Sequence, residues 1–188
     1  MSRFTRNRSF RLLFSATAVS NLGDGIAALA FPWLATLITR DPALIAFVGF
    51  ATRLPWFLFA IPAGVITDRR DRRRLMVQAD GVRVLVTLAV IALVSGGGAE
   101  SSANQPMLAI SALSALAFLL GCAEVVRDNA AQTVLPSIID KTGLERANGQ
   151  MWTIEQIMGS FIGPPLAGIL IAWALPAPFV VIALGFAL

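Results

Sequence analysis

The chain has 188 residues, 56% of them apolar and 14% charged, and its 15 basic against 11 acidic side chains give a formal charge of +4. Such a balance excludes a water-soluble globular domain and describes a membrane protein, and because the arginines flank long apolar runs they read as topology signals rather than as a nucleic-acid surface. Histidine is absent, so the commonest metal ligand and neutral-pH proton shuttle are missing; no cofactor or metal site is indicated, and proton chemistry falls to carboxylates.

Each crossing of a bilayer needs about 20 residues at about 1.5 Å of rise. The first apolar run, 12–38, follows Arg3, Arg6, Arg8 and Arg11. The stretch SATA at 15–18 has the small residues of a signal-cleavage site, but too few apolar residues precede it and the run continues to Ile38, which predicts an uncleaved span. Asp24 stands inside it between Gly23 and Gly25. The glycines either loosen the helix beside the acid or allow a neighbouring helix to approach closely. The second run, 43–66, contains Arg53. Helical rise places Asp24 about 16–18 Å and Arg53 about 20 Å from the cytoplasmic ends of their spans. At similar depth, the two are expected to form a buried ion pair near the midplane, where transporters place substrate and coupling-ion sites. A pair that merely holds two helices together is the alternative.

Between the second and third spans runs GVITDRRDRRRLM, residues 64–76. The third span, 75–95, carries Asp80 and Arg83, which either join a cytoplasmic charge network or pair locally. SGGGAESSANQP at 95–106 reads as a flexible external linker. The fourth span, 107–128, holds Cys122, which has no partner for an intrachain disulfide, and ends in Glu124, Arg127 and Asp128 on one helix face. The fifth, 149–174, has Trp152 and Trp173 near its ends, as aromatic belts do, and Glu155 is a further candidate for the charge network. The sixth, 178–188, is incomplete: eleven residues extend about 16 Å where the hydrocarbon core needs about 30 Å. Basic residues precede span 1, fill the loop after span 2 and recur as Lys141 and Arg146, against Arg40 alone in the opposite loops. The positive-inside rule therefore predicts a multi-pass protein of the cell inner membrane with a cytoplasmic N-terminus.

Gly64, Asp68, Arg69, Arg72 and Arg73 resemble the loop between helices 2 and 3 of the major facilitator superfamily, whose pattern is Gly-x-x-x-Asp-Arg-x-Gly-Arg-Arg. Asp71 stands where that pattern has glycine, a variant similar to the branch of macrolide efflux proteins and the enterobactin exporter. In the fifth span, Gly159, Gly163, Pro164 and Gly168 resemble the antiporter motif Gly-x-x-x-Gly-Pro-x-x-Gly-Gly of drug exporters, with Ala167 replacing one glycine and Gln150 standing where an earlier one is expected. Read without the resemblance, the same residues are a packing kink.

The resemblance implies an all-α membrane fold, the N-terminal six-helix bundle of a transporter whose C-terminal bundle is missing from residues 1–188 or is supplied by a second chain. It further implies a cytoplasmic gating clamp in which Arg72 meets Glu124 or Asp128 and Asp68 docks on the second half. The implied function is secondary active transport, a proton-coupled export of small amphipathic compounds of drug or siderophore type by alternating access. Asp24 would couple protons and Arg53 would be its partner; substrate, protons and lipid are the expected associates. A membrane enzyme of the alcohol phosphatidyltransferase kind is disfavoured, because Asn21 and Leu29 replace that motif's acid and arginine and no second acidic pair follows. A truncated, non-transporting chain that binds or regulates a full-length transporter is the alternative function.

Overall fold

A computed structural model describes residues 7–95 and 106–187. Six helical segments follow in order: α1 (Arg8–Ile38), α2 (Pro42–Arg69), α3 (Arg72–Ser95), α4 (Pro106–Ile138), α5 (Lys141–Trp173) and the short α6 (Ala177–Ala187). The first five are long and apolar enough to cross a membrane. The predicted linker at 95–106 falls almost wholly outside the described residues, as do Arg3 and Arg6.

Two helices extend well past their predicted bounds. α4 runs on to Ile138 instead of ending at 128, because Glu124, Arg127 and Asp128 depress the local hydropathy without interrupting the helix; they are met by one another and by Trp56 of α2 and Asp80 of α3. α5 begins at Lys141 rather than 149, and its polar opening turns bury Ala147 and Met151 against Phe10, Leu13 and Leu135. The main core lies deeper, where Ile26, Phe31, Leu34, Val48, Val90, Leu113 and Leu120 meet Phe179 and Ile182 of α6. Phe31 and Phe179 pack edge to face at 5.6 Å between centroids. The outer faces are also apolar: Phe57, Ile61, Leu85 and Ile169 are exposed, an arrangement suited to lipid as solvent.

Glycines set the closest helix crossings. A Cβ on Gly121 of α4 would lie 2.5 Å from the Thr52 carbonyl oxygen and 3.0 Å from the Pro55 ring of α2. A Cβ on Gly163 of α5 would lie 2.6 Å from Cα of Gly25 on α1. Both pairs therefore pack nearly backbone to backbone. Within α5, residues Ile157–Ile162 form a π-helical turn directly before Gly163, Pro164 and Pro165. Two successive rings without N–H groups crowd the preceding carbonyls of a regular α-helix, and the wider turn relieves that crowding.

Short polar links fix the helix ends. Asn7 caps α1 by accepting from Ser9 N at 2.9 Å, while its Nδ2 donates to the Ile138 carbonyl at the end of α4, also at 2.9 Å. The connection from α2 to α3 is only Arg70 and Asp71. Asp71, the departure from glycine, accepts from Arg74 N at 2.8 Å and so caps α3. Asp71→Ala is expected to destabilise the bundle by about 1 kcal/mol and Asp71→Gly by only a few tenths, measured by thermal unfolding in detergent; equal losses in both variants would dismiss the cap.

Candidate functional site

Asp24 lies midway along α1, where helical rise places it about 24 Å from Arg8, and it faces the interior beside Ser20. From α3, Arg83 reaches the same point, with no exposed side-chain surface. Its guanidinium donates to Asp24 Oδ1, to Ser20 Oγ at 2.6 Å and to Asp80 Oδ1 at 3.2 Å. On its other side the Phe186 ring of α6 lies 3.6 Å from the guanidinium carbon, a cation–π contact in a desolvated setting. Gly23 makes room for that ring: a Cβ there would stand 2.6 Å from it.

A second guanidinium completes the cluster. Arg127 of α4, 1% exposed, donates to Asp128 Oδ1 at 3.2 Å, and its Nε lies 3.7 Å from Asp80 Oδ1. Asp80 therefore bridges both arginines. Glu124, one turn before Arg127 and Asp128, accepts from Trp56 Nε1 of α2 at 3.0 Å. Four carboxyl groups and two guanidiniums thus gather inside the membrane-spanning region, contributed by α1, α3 and α4. Buried charges on this scale persist only when paired and hydrogen-bonded. Asp24 Oδ2 and the Arg83 Nε are buried without a hydrogen-bond partner among the described residues.

The predicted partner of Asp24 is thereby corrected: Arg83, not Arg53, neutralises it. α2 turns Thr52 and Pro55 onto Gly121 of α4, which leaves Arg53 on an exposed face with no ion pair among the described residues. The predicted meeting of Arg72 with Glu124 or Asp128 is also absent. Arg72 starts α3, whereas α4 continues for about 15 Å beyond Asp128, so the two acids lie too deep: Asp128 pairs with Arg127 and Glu124 accepts from Trp56. Asp68, Arg69 and Arg73 are exposed, Arg72 and Gly64 half-buried, and the four charged ones form no ion pair among the described residues. Glu155 is half-buried on α5, outside the ion pairs of the cluster.

Gly159 and Gly163 of the antiporter-like motif serve the crossing with α1, beside Asp24, and the triplet around Asp24 packs instead of loosening: α1 is unbroken there. Gly168 faces open space and Pro164 is half-buried. The sequence signal for the true partner was Asp80 and Arg83, three apart in the first half of the third apolar run. Trp56 carried no such signal, because an indole near an acid in space is invisible along the chain.

Comparisons with known proteins agree with this architecture. The family described as transmembrane secretion effector matches residues 3–187. The multidrug efflux pump Tap of Mycobacterium tuberculosis is 32% identical over 174 residues, covering 92% of this chain and 40% of the pump. Tap of Mycolicibacterium fortuitum is 27% identical over 172 residues, covering 89% and 40%. The staphyloferrin A transporter of Staphylococcus aureus is 26% identical over 162 residues, covering 86% and 38%. The chain thus spans about two fifths of the length of these relatives. No solved structure matches it significantly. With a family match over nearly its whole length and five membrane-crossing helices, the chain is a multi-pass membrane protein belonging to the transmembrane secretion effector family of the major facilitator transporters.

Proposed function

We propose that these helices form one bundle of a proton-driven exporter of small amphipathic compounds, working against a second bundle by alternating access, with Asp24 as the coupling carboxylate. The observation that carries this reading is the Asp24–Arg83 pair enclosed between α1 and α3, in which Asp24 Oδ2 has no hydrogen-bond partner among the described residues. A proton arriving at Oδ2 neutralises the acid and weakens its hold on Arg83, whose remaining acidic partner is Asp80. Proton loss restores the clasp between α1 and α3. Glu124, bonded to Trp56, supplies a second buried acid on the α2 side. The relatives' names, a multidrug efflux pump and a staphyloferrin A transporter, support a substrate class of small and chemically varied compounds.

In this reading the N-terminus is cytoplasmic, the membrane is the inner one, and exposed Asp68, Arg69 and Arg73, with Gly64 and Arg72, form the gating clamp toward the second bundle. Gly159, Gly163 and Pro164 shape α5 where it crosses α1 beside the coupling site, and Gly168 completes the antiporter-like motif. Arg53, exposed on α2, is free to meet substrate or the second bundle. Asp24→Asn, made in the full-length protein, is expected to reduce proton-driven efflux to the level of cells lacking the transporter while membrane abundance stays normal. Efflux is read as substrate accumulation with and without an imposed proton gradient; normal efflux by the variant removes Asp24 from the mechanism.

A further inference from the structure

Where α1 and α5 begin, they part around a cavity of about 1230 Å³, remote from the Asp24 cluster. Arg8 and Arg11 of α1 and Arg146 of α5 stand around it, all exposed, with no ion pair among the described residues. No acid lines it. Leu12 continues the lining on α1, and Ile154 and Ile157 carry it down α5. By helical rise, Ile157 is about 16 Å along α5 from Arg146. The cavity therefore grades from a cationic mouth, at the level where spans enter the membrane, to an apolar depth. Gly149 keeps the α5 wall low, and a Cβ built there meets nothing within 4 Å.

We propose that this groove binds an anionic phospholipid of the leaflet that the start of α1 faces, its phosphate on Arg8, Arg11 and Arg146 and one acyl chain along Leu12, Ile154 and Ile157. Charge complementarity selects the headgroup: three guanidiniums that form no ion pair among the described residues attract an anion at the membrane surface. The apolar depth selects an amphiphile over a free phosphate. Such a lipid bridges α1 and α5 at their open ends, while Asn7 ties α1 to α4 close by. The inference rests on the membrane setting alone and is independent of the transport reading.

The test uses the full-length protein, reconstituted in bilayers of phosphatidylcholine with phosphatidylglycerol, extracted in detergent and assayed by mass spectrometry for retained lipid. Phosphatidylglycerol is expected to be retained selectively. Each arginine replaced by glutamine should lower retention about fivefold, and Arg8→Gln/Arg11→Gln/Arg146→Gln together about a hundredfold. Gly149→Phe fills the open space with all three arginines intact and should also displace the lipid. Equal retention of both lipids, or unchanged retention in the triple variant and in Gly149→Phe, overturns the proposal. So does a Gly149→Cys variant, in a Cys122→Ala background, that resists thiol labelling in lipid-free micelles, since another part of the protein would then occupy the groove.

Discussion

Gly25→Val should leave no stable bundle. A Cβ at this position runs into the carbonyl group of Gly159 on α5, and the reciprocal Cβ on Gly163 would stand 2.6 Å from Cα and 2.7 Å from the carbonyl carbon of Gly25. These neighbours are backbone atoms and have no rotamer to move into. Overpacking a core that can shift its side chains costs about 1–3 kcal/mol; here two helices must separate, and α1 takes Asp24 with it. The expected result is aggregation or loss from the membrane, read by size-exclusion profile and thermal unfolding in detergent. Gly168→Ala is the contrast within the same motif: Gly168 faces open space, and alanine there should be neutral or stabilise by about 0.5–1 kcal/mol. A Gly25→Val variant that melts like the parent would show that α1 and α5 do not touch at this point.

Arg83→Met should be nearly as damaging, for an electrostatic reason. It leaves Asp24 with no counter-charge and Asp80 with Arg127 alone, and breaking a buried pair by removing one partner costs about 3–5 kcal/mol. The double variant Arg83→Met/Asp24→Leu removes both charges and should recover most of that stability, because replacing a buried pair with apolar groups is often neutral. It should not recover efflux. Thermal unfolding and proton-driven efflux, compared across the single and double variants, separate the structural role of the pair from its coupling role. If Arg83→Met is as stable as the parent, the guanidinium does not hold α1 and α3 together.

Much of this fold was legible because lipid imposes simple rules. The apolar runs and the glycine-rich stretch of α5 follow from the need to bury backbone polar groups and bring helices close. What failed was facing direction. Depth along a helix can be counted from sequence, but rotation about the axis is set by which neighbour each helix packs against. Gly121 fixed that rotation for α2 and turned Arg53 outward. Hydropathy likewise ended the fourth span at its charges, although those charges belong to the interior and the helix continues to Ile138. The inward position of Asp24 needed one further fact that spacing does not contain: Arg83 lies opposite it on α3.

The distribution of counter-charges has a consequence for biogenesis. α3 carries Asp80 beside Arg83, and α4 carries Arg127 beside Asp128, each at 3.2 Å within one helix. Those two segments supply Asp80 and Asp128 with a counter-charge on their own helix, with Glu124 left in excess on α4. α1 does not, because no basic residue lies within a turn of Asp24. An unpaired acid near the centre of a span disfavours insertion by about 2.5–3.5 kcal/mol, and the partner arrives only when α3 is synthesised. The opening helix must therefore enter on the strength of its own apolar residues, or wait at the translocation channel until Arg83 emerges.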